Sequence, residues 1–463
     1  MKKIFILALT FTFTISEMRA QTKGIYSWEE FSRHKGKSEL FGQKFPAQEN
    51  WWSIFGDTLL DSLIAIAAER NHSVLTAIEN MRMARAAWRM ERSQLFPTMR
   101  LDLGWQRNKT SGNIHSDGNE EIWGGDFDAS VSVSWQADIY GSIYKRSQAE
   151  KHLFRASEEE FHAVMITLCA EVATTYFSLR RSLAEMAVLR KNAESQREIM
   201  NLVEIRYNTG LASKLDVAQA RSVYYSTQAT IPSMETTIQQ YRNALAILLA
   251  TYPGNLNLRT IENRSLPDII DPIVAELPAN LILRRPDVRS AGEQVEAQAS
   301  LLGATKREWL PQFYINGSIG FAATDADALL RSRSMTWQIA PSITWNLFDG
   351  GRLRNNTRQA QAQLDKSIIE FNNTVLTAMQ EVENAMSAYK NALNSISALR
   401  ETVNQGEETL RLSLDLYKQG LTQFQNVLDA QRSLLNYQDY LVQAQGSALI
   451  YLIQLYEALA GGW

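Results

Sequence analysis

Residue types capable of chemistry are few in this chain and poorly spaced for it. There is a single cysteine, Cys169, so neither an intrachain disulfide framework nor a multi-cysteine zinc site is available. Among the five histidines, His72, His115, His152 and His162 show no spacing with cysteine or carboxylate clusters that would specify a metal. Carboxylates recur at i, i+4 on helical stretches, where they make solvated faces. The glycines of Trp345-Asn346-Leu347-Phe348-Asp349-Gly350-Gly351-Arg352 lack the strand–GxGxxG–helix context of a nucleotide loop. Gly350 and Gly351 suit a bend from strand into helix instead. No catalytic residue, no metal and no cofactor is expected, and hence no enzyme.

The elements that hold these residues are more informative. The 463 residues are 45% hydrophobic and 21% charged with net charge −3, a folded composition with no global pull toward nucleic acid. Lys2 and Lys3 precede an apolar stretch from Ile4 to Ile15, and Met18-Arg19-Ala20 could precede cleavage, as in a secretory signal over 1–20. A buried N-terminal helix is the alternative. No later run is an uninterrupted apolar span, so membrane residence would require something other than a helix. With residues 21–57 as an N-terminal extension, the rest divides into repeats at 58–254 and 286–463 joined by a linker over 255–285.

The two repeats are related by an offset of 210 without a gap. Trp135 matches Trp345, Gly141 matches Gly351, Tyr207, Gly210 and Leu211 match Tyr417, Gly420 and Leu421, and Tyr241 matches Tyr451. Each half reads as helix, two strands, long helix, tight turn, helix. The helices are expected at 58–96, 141–208 and 213–251, then at 286–309, 350–415 and 421–459, with Pro232 kinking the third. Hairpins are expected at 98–138 and 312–347. There, apolar Phe127, Ala129, Val131, Val133 and Trp135 alternate with Asp128, Ser130, Ser132, Ser134 and Gln136, a period of two that separates an apolar from a polar face. Such segments suit tilted transmembrane strands, with Trp105, Trp135, Trp337 and Trp345 as an interfacial belt; a soluble sheet packed on helices would alternate in the same way.

A helix over 350–415 would be about 100 Å long, and its partners over 421–459 and 286–309 would cover that length end to end. Leu364, Ile368, Phe371, Val375, Ala378, Val382, Ala385, Tyr389, Ala392, Ile396, Leu399 and Val403 mark a heptad seam along it. Four membrane strands cannot close, because bilayer backbone must be fully paired and the smallest barrels take about eight. Several copies would therefore pool their strands around a wet pore, giving a β-barrel prolonged by a helical tube.

The segments WWSIFGDTLLDSLIAIA (51–67), VSWQADIYG (133–141), RYNTGLASKLDVAQAR (206–221), LILRRPDVRSA (281–291), WNLFDGGR (345–352), TAMQEVENA (377–385), LDAQRSLL (428–435) and LYEALAGGW (455–463) resemble the outer-membrane factor family, the TolC/OprM-like exit ducts of tripartite efflux pumps. The resemblance implies an α+β membrane protein, a homotrimer with a twelve-stranded barrel, four strands per chain, above a twelve-helix α-barrel. It implies an outer-membrane location reaching into the periplasm, a periplasmic adaptor as partner, and an inner-membrane proton-driven pump as energy source. The cargo would be drugs or other small toxic solutes. An exit duct for an ATP-driven secretion system and an exported coiled-coil scaffold are the alternatives. OprM-like members usually carry a lipidated cysteine after the signal; none stands here, so attachment to lipid would rest on the barrel.

Two sets of residues carry the functional expectation. Arg206, Tyr207, Gly210, Leu211 and Ser213, with Tyr417, Gly420 and Leu421, lie at the far ends of the long helices; the resemblance makes them an exposed rim that docks the adaptor. Asp429 and Arg432 form an i, i+3 pair absent from the first half, where Gln219 and Ser222 stand at their positions. The resemblance places them at the periplasmic gate, with Gln425 where the family often has an apolar residue. Loops 110–125 and 324–334, carrying Asp117, Glu120, Glu121, Asp325 and Asp327, would face outside the cell.

Overall fold

A computed structural model describes residues 51–110, 122–254, 266–267 and 279–459. The expected signal (1–20), most of the extension and of the linker, Asp117, Glu120 and Glu121 lie outside the described residues. After a 3-10 turn, Trp51–Phe55, come α1 (Thr58–Arg70), α2 (His72–Ser93), β1 (Thr98–Thr110), β2 (Ile122–Ala137), α3 (Ser142–Asn208) and α4 (Lys214–Leu248). A second 3-10 turn, Ala279–Arg284, leads to α5 (Pro286–Arg307), β3 (Gln312–Ala323), β4 (Met335–Thr344), α6 (Arg352–Lys418) and α7 (Phe424–Ala458). The bounds of α3 and α6, and of α4 and α7, differ by 210 at both ends.

One expectation needs correction. The first helix is not continuous over 58–96. It breaks at Asn71, whose backbone is extended (ψ 132°) and whose side chain accepts from Ser73 N as the N-cap of α2. The other amide end donates to Leu248 O, an orphan carbonyl at the end of α4. In α4 the helix includes Pro232 without interruption. Arg285 plays the part of Asn71 in the second half: as N-cap of α5 it donates to Ala458 O at the end of α7 (2.8 Å) and to Asp287 and Glu381. Short helices thus abut end to end, each upper cap satisfying the lower terminus.

The four strands form one antiparallel sheet in the order β1-β2-β3-β4. Register sorts the faces: Leu101, Val131, Ile319 and Trp337 make one row, and Arg100, Ser132, Ser318 and Gln338 the row behind it. The apolar face packs on nothing among the described residues, with Leu103 74% and Ile339 70% exposed. Polar groups bond across the other face, Ser132 to Asp102 and Ser134 to Asn316. Both outer strands keep an unpaired edge. Helices continue the sheet in the same order, since α2 packs on α3, α3 on α5 and α5 on α6. In the far half the order is α4, α3, α7, α6.

The main apolar core lies where the short helices abut. Trp51 stacks on Tyr456 (5.4 Å), and Tyr176 and Arg180 both donate to Asp57 Oδ2 (2.6 Å each), anchoring the N-terminal turn. Cys169 belongs to this core, where burial pushes its thiol up to about 12 and leaves it inert. By composition α3 contains a window apolar enough to cross a membrane, but 56% of that window is buried in the protein. The heptad seam is realised on α6, where Phe371, Val375, Ala378, Val382, Ala385, Tyr389, Ile396 and Val403 are all buried.

Candidate functional site

The far ends of α3 and α6 close with the same backbone. Gly210 (φ +79°) and Gly420 (φ +75°) take the left-handed position, which a side chain would strain. Gly210 N donates to Tyr207 O and Leu211 N to Arg206 O; Gly420 N donates to Tyr417 O and Leu421 N to Leu416 O. This is the doubly bonded Schellman end. It pushes Leu211 and Leu421 into solvent, 67% and 69% exposed.

Beyond the backbone the turns differ. Tyr207 is 43% exposed, whereas Tyr417 is 4% exposed, so the expected rim does not include it. Phe424 stands 5.3 Å from the Tyr417 ring, and the Arg206 guanidinium lies over it at 4.9 Å. Arg206 also donates to Lys418 O at 2.7 Å, so the first turn caps the last carbonyls of α6. Burial, then the charge of Asp216, raises the Tyr417 pKa against the opposing pull of Arg206. The positions of Arg206 and Phe424 are held by Leu416 and Lys214 in the opposite half, so Tyr207 has neither lid. Ser213 forms a capping box with Asp216 on α4, while Gln423 caps α7 with no side-chain bond. A cleft of about 770 Å³ opens between the two turns, lined by Leu211, Ser213, Leu215, Thr422 and Gln425 among others.

The Asp429–Arg432 pair does not form within the chain. Asp429 Oδ1 accepts instead from Gln425 Nε2 (3.0 Å), and Gln425 Oε1 accepts from Gln219 Nε2 (3.4 Å). A chain of side chains therefore runs from α4 to Asp429, while Arg432 is exposed with no ion pair among the described residues. An i, i+3 contact is weak in water, and Gln425, one turn away, competes for the carboxylate. Asp429 also borders a groove of about 860 Å³ between α6 and α7, lined by Glu401, Thr402, Gln405 and Ser433.

Of the tryptophans, Trp105 and Trp337 lie toward the hairpin ends of their strands, opposite Phe127 and Ile319. Trp135 and Trp345 lie at the helix end, where their indoles donate to Leu95 O and Trp309 O (3.0 Å each). In the β3–β4 loop Asp327 pairs with Arg331. Sequence reasoning missed the α3–α7 seam, where Asn192 donates to Gln438 Oε1 (2.7 Å) and Arg181 lies 3.6 Å from Glu185. Burial raises the pKa of Glu185 and of Asp439 there, with Arg181 opposing both.

Long paired helices ending in capped turns, below a sheet whose uncovered apolar face backs a polar one, define an outer-membrane channel subunit. The outer membrane efflux protein family model matches residues 63–251 and again 277–461, and the chain belongs to that family. It is similar to the solvent efflux pump outer membrane protein SrpC of Pseudomonas putida, 31% identical over 88% of this chain and 86% of that protein. The cation efflux system protein CusC of Escherichia coli is 28% identical over 89% of this chain and 88% of its own length. The solved outer-membrane channel OprN superposes with a TM-score of 0.85 at 26% identity, covering 89% of this chain and 92% of that one. The protein is an efflux component of the outer membrane.

Proposed function

We propose that three copies close their sheet edges into a twelve-stranded barrel in the outer membrane and their helices into a tube through the periplasm, forming the passive exit duct of a tripartite pump. The sheet carries this reading: its uncovered apolar face suits lipid, but its two unpaired edges cannot persist in a bilayer, where every backbone group must be bonded. Pairing β4 of one chain with β1 of the next bonds both edges, leaves the apolar face to lipid, and turns Ser132, Asn316, Gln338 and their neighbours onto a water-filled lumen. The helix order favours the same ring, since α6 is one edge in both halves and α2 and α4 are the other.

Energy would come from a proton-driven inner-membrane pump through a periplasmic adaptor docked on Leu211, Leu421 and the cleft between the turns. The duct would pass small toxic solutes, in line with the solvent pump relative. Asp429, Arg432 and Gln425 would form the gate. With no ion-pair partner among the described residues, Arg432 is available to a neighbouring copy, and Asp429 is tied to the first repeat through Gln425 and Gln219. Asp429→Ala and Arg432→Ala should each raise single-channel conductance in planar bilayers, while Ser222→Ala should not; unchanged conductance in both would remove the pair from the gate. Gene deletion with a susceptibility panel of solvents, dyes, bile salts and metal ions tests the efflux reading. Hypersensitivity to organic solutes supports it, and an unchanged panel with lost protein secretion favours the secretion duct.

A further inference from the structure

The joint where α5 and α7 abut leaves a cavity of about 540 Å³ between α3 and α6. That is room for a small organic molecule. Ala163 and Ile166 of α3, with Ala385 and Ala388 of α6, make an apolar floor in which Ile166 is 5% and Ala385 7% exposed. Thr167, Glu381, Asn384 and Gln454 are exposed at the mouth, so the cavity opens to water.

Charge around the cavity is one-sided. Against Asp287, Glu381 and Glu457, the lining has one cation among the described residues, Arg285. Its guanidinium is already bonded to Ala458 O, Asp287 and Glu381. Glu457 is left over: it accepts from Thr167 and forms no ion pair among the described residues. Burial raises its pKa, with Thr167 opposing and the charge of Glu381 adding to the rise. The twin joint lacks this acid. Ile247 stands at the matching position of the first half, where neutral Asn71 meets Leu248 O. A partly buried carboxylate without a counter-ion costs stability, and beside an apolar cleft it marks a place where a ligand supplies the missing charge.

We propose that this cavity binds one organic monocation, its apolar body on Ala163, Ile166, Ala385 and Ala388 and its cationic centre at Glu457. All of the lining belongs to one chain, so the site does not depend on copies closing into a duct. The test titrates ethidium, an aromatic cation, against full-length protein in a nonionic detergent and reads fluorescence anisotropy. Fluorescein serves as the aromatic anion. Ethidium should saturate at one per chain, and fluorescein should not saturate. Glu457→Gln keeps the shape and removes the charge, and should weaken ethidium about tenfold or more. Ala388→Phe fills the floor and should abolish saturation. Glu198→Gln, which alters an exposed acid elsewhere on α3, should leave the affinity unchanged. Thermal melts followed by circular dichroism report folding of each variant, and if Ala388→Phe does not fold, Glu457→Gln decides alone. Absence of saturable ethidium binding overturns the site. So does an affinity that Glu457→Gln leaves unchanged, or fluorescein binding as tightly as ethidium.

Discussion

The turn that joins α3 to α4 and the turn that joins α6 to α7 share a backbone and divide the work of holding it. The first is self-sufficient: Ser213 and Asp216 cap α4, and Arg206 has side chain to spare for its neighbour. The second has no side-chain cap on α7, and the Tyr417 ring is covered by Phe424 and by Arg206 of the other repeat. Duplicated chains thus become asymmetric by a few substitutions at matched positions, Arg206 against Leu416 and Phe424 against Lys214. The half with the borrowed support is also the half that carries Asp429 and Arg432. A turn held from outside can be released from outside, as a docking partner at this end would require.

That contrast can be broken most forcefully at the tyrosines. Tyr417→Ala should destabilise the helix ends by about 3–5 kcal/mol, the range for truncating a buried aromatic, and Tyr207→Ala by less than about 0.5 kcal/mol. Denaturant midpoints in detergent check this, and equal effects would abolish the distinction. Arg206→Ala removes a charged hydrogen bond and a cation–π contact, together about 1–3 kcal/mol. Amide exchange at Gly420 and Leu421 should accelerate while Gly210 and Leu211 stay as they were. Arg206→Lys should restore little, since a point charge cannot both cover the ring and reach the carbonyl.

Smaller effects sharpen the comparison. Ser213→Ala should cost about 1 kcal/mol as a lost N-cap, and Gln423→Ala nothing measurable in the same melting assay. The α3–α7 seam should respond to pH. Burial raises the Glu185 and Asp439 pKa values, so the folded state holds protons that the unfolded chain has released. Stability is then greatest below the unfolded carboxylate range and declines as pH rises through the raised folded values. Glu185→Gln should flatten that decline, and the variant should gain on the parent only above the ordinary carboxylate pKa. A parallel pH profile in both proteins would remove Glu185 from the linkage.

Periodicity made most of this architecture readable before any coordinates. The two-residue alternation of Val131, Val133, Ile315 and Ile319 predicts the faces that the register shows, and the seam from Phe371 to Val403 predicts the buried stripe of α6. What stayed hidden depends on contacts between distant residues. Asn71 reads as one more helical residue until Leu248 O is placed beside it. Tyr417 reads as the twin of Tyr207 until Arg206, from the other repeat, lies over its ring. The usable signal was a failure of the repeat, because positions where one half has Arg and the other Leu cannot have equivalent surroundings. That rule singles out Asp429 and Arg432, but the i, i+3 pairing expected of them is not made: Gln425 takes the carboxylate.

A conducting channel requires that copies of the same chain close its open sheet edges around water. Native mass spectrometry of the full-length protein extracted from membranes tests it most directly. Three chains in one detergent-held assembly, with no folded single chain at lower mass, is the predicted spectrum. A folded monomer that stays soluble when detergent is removed would contradict it.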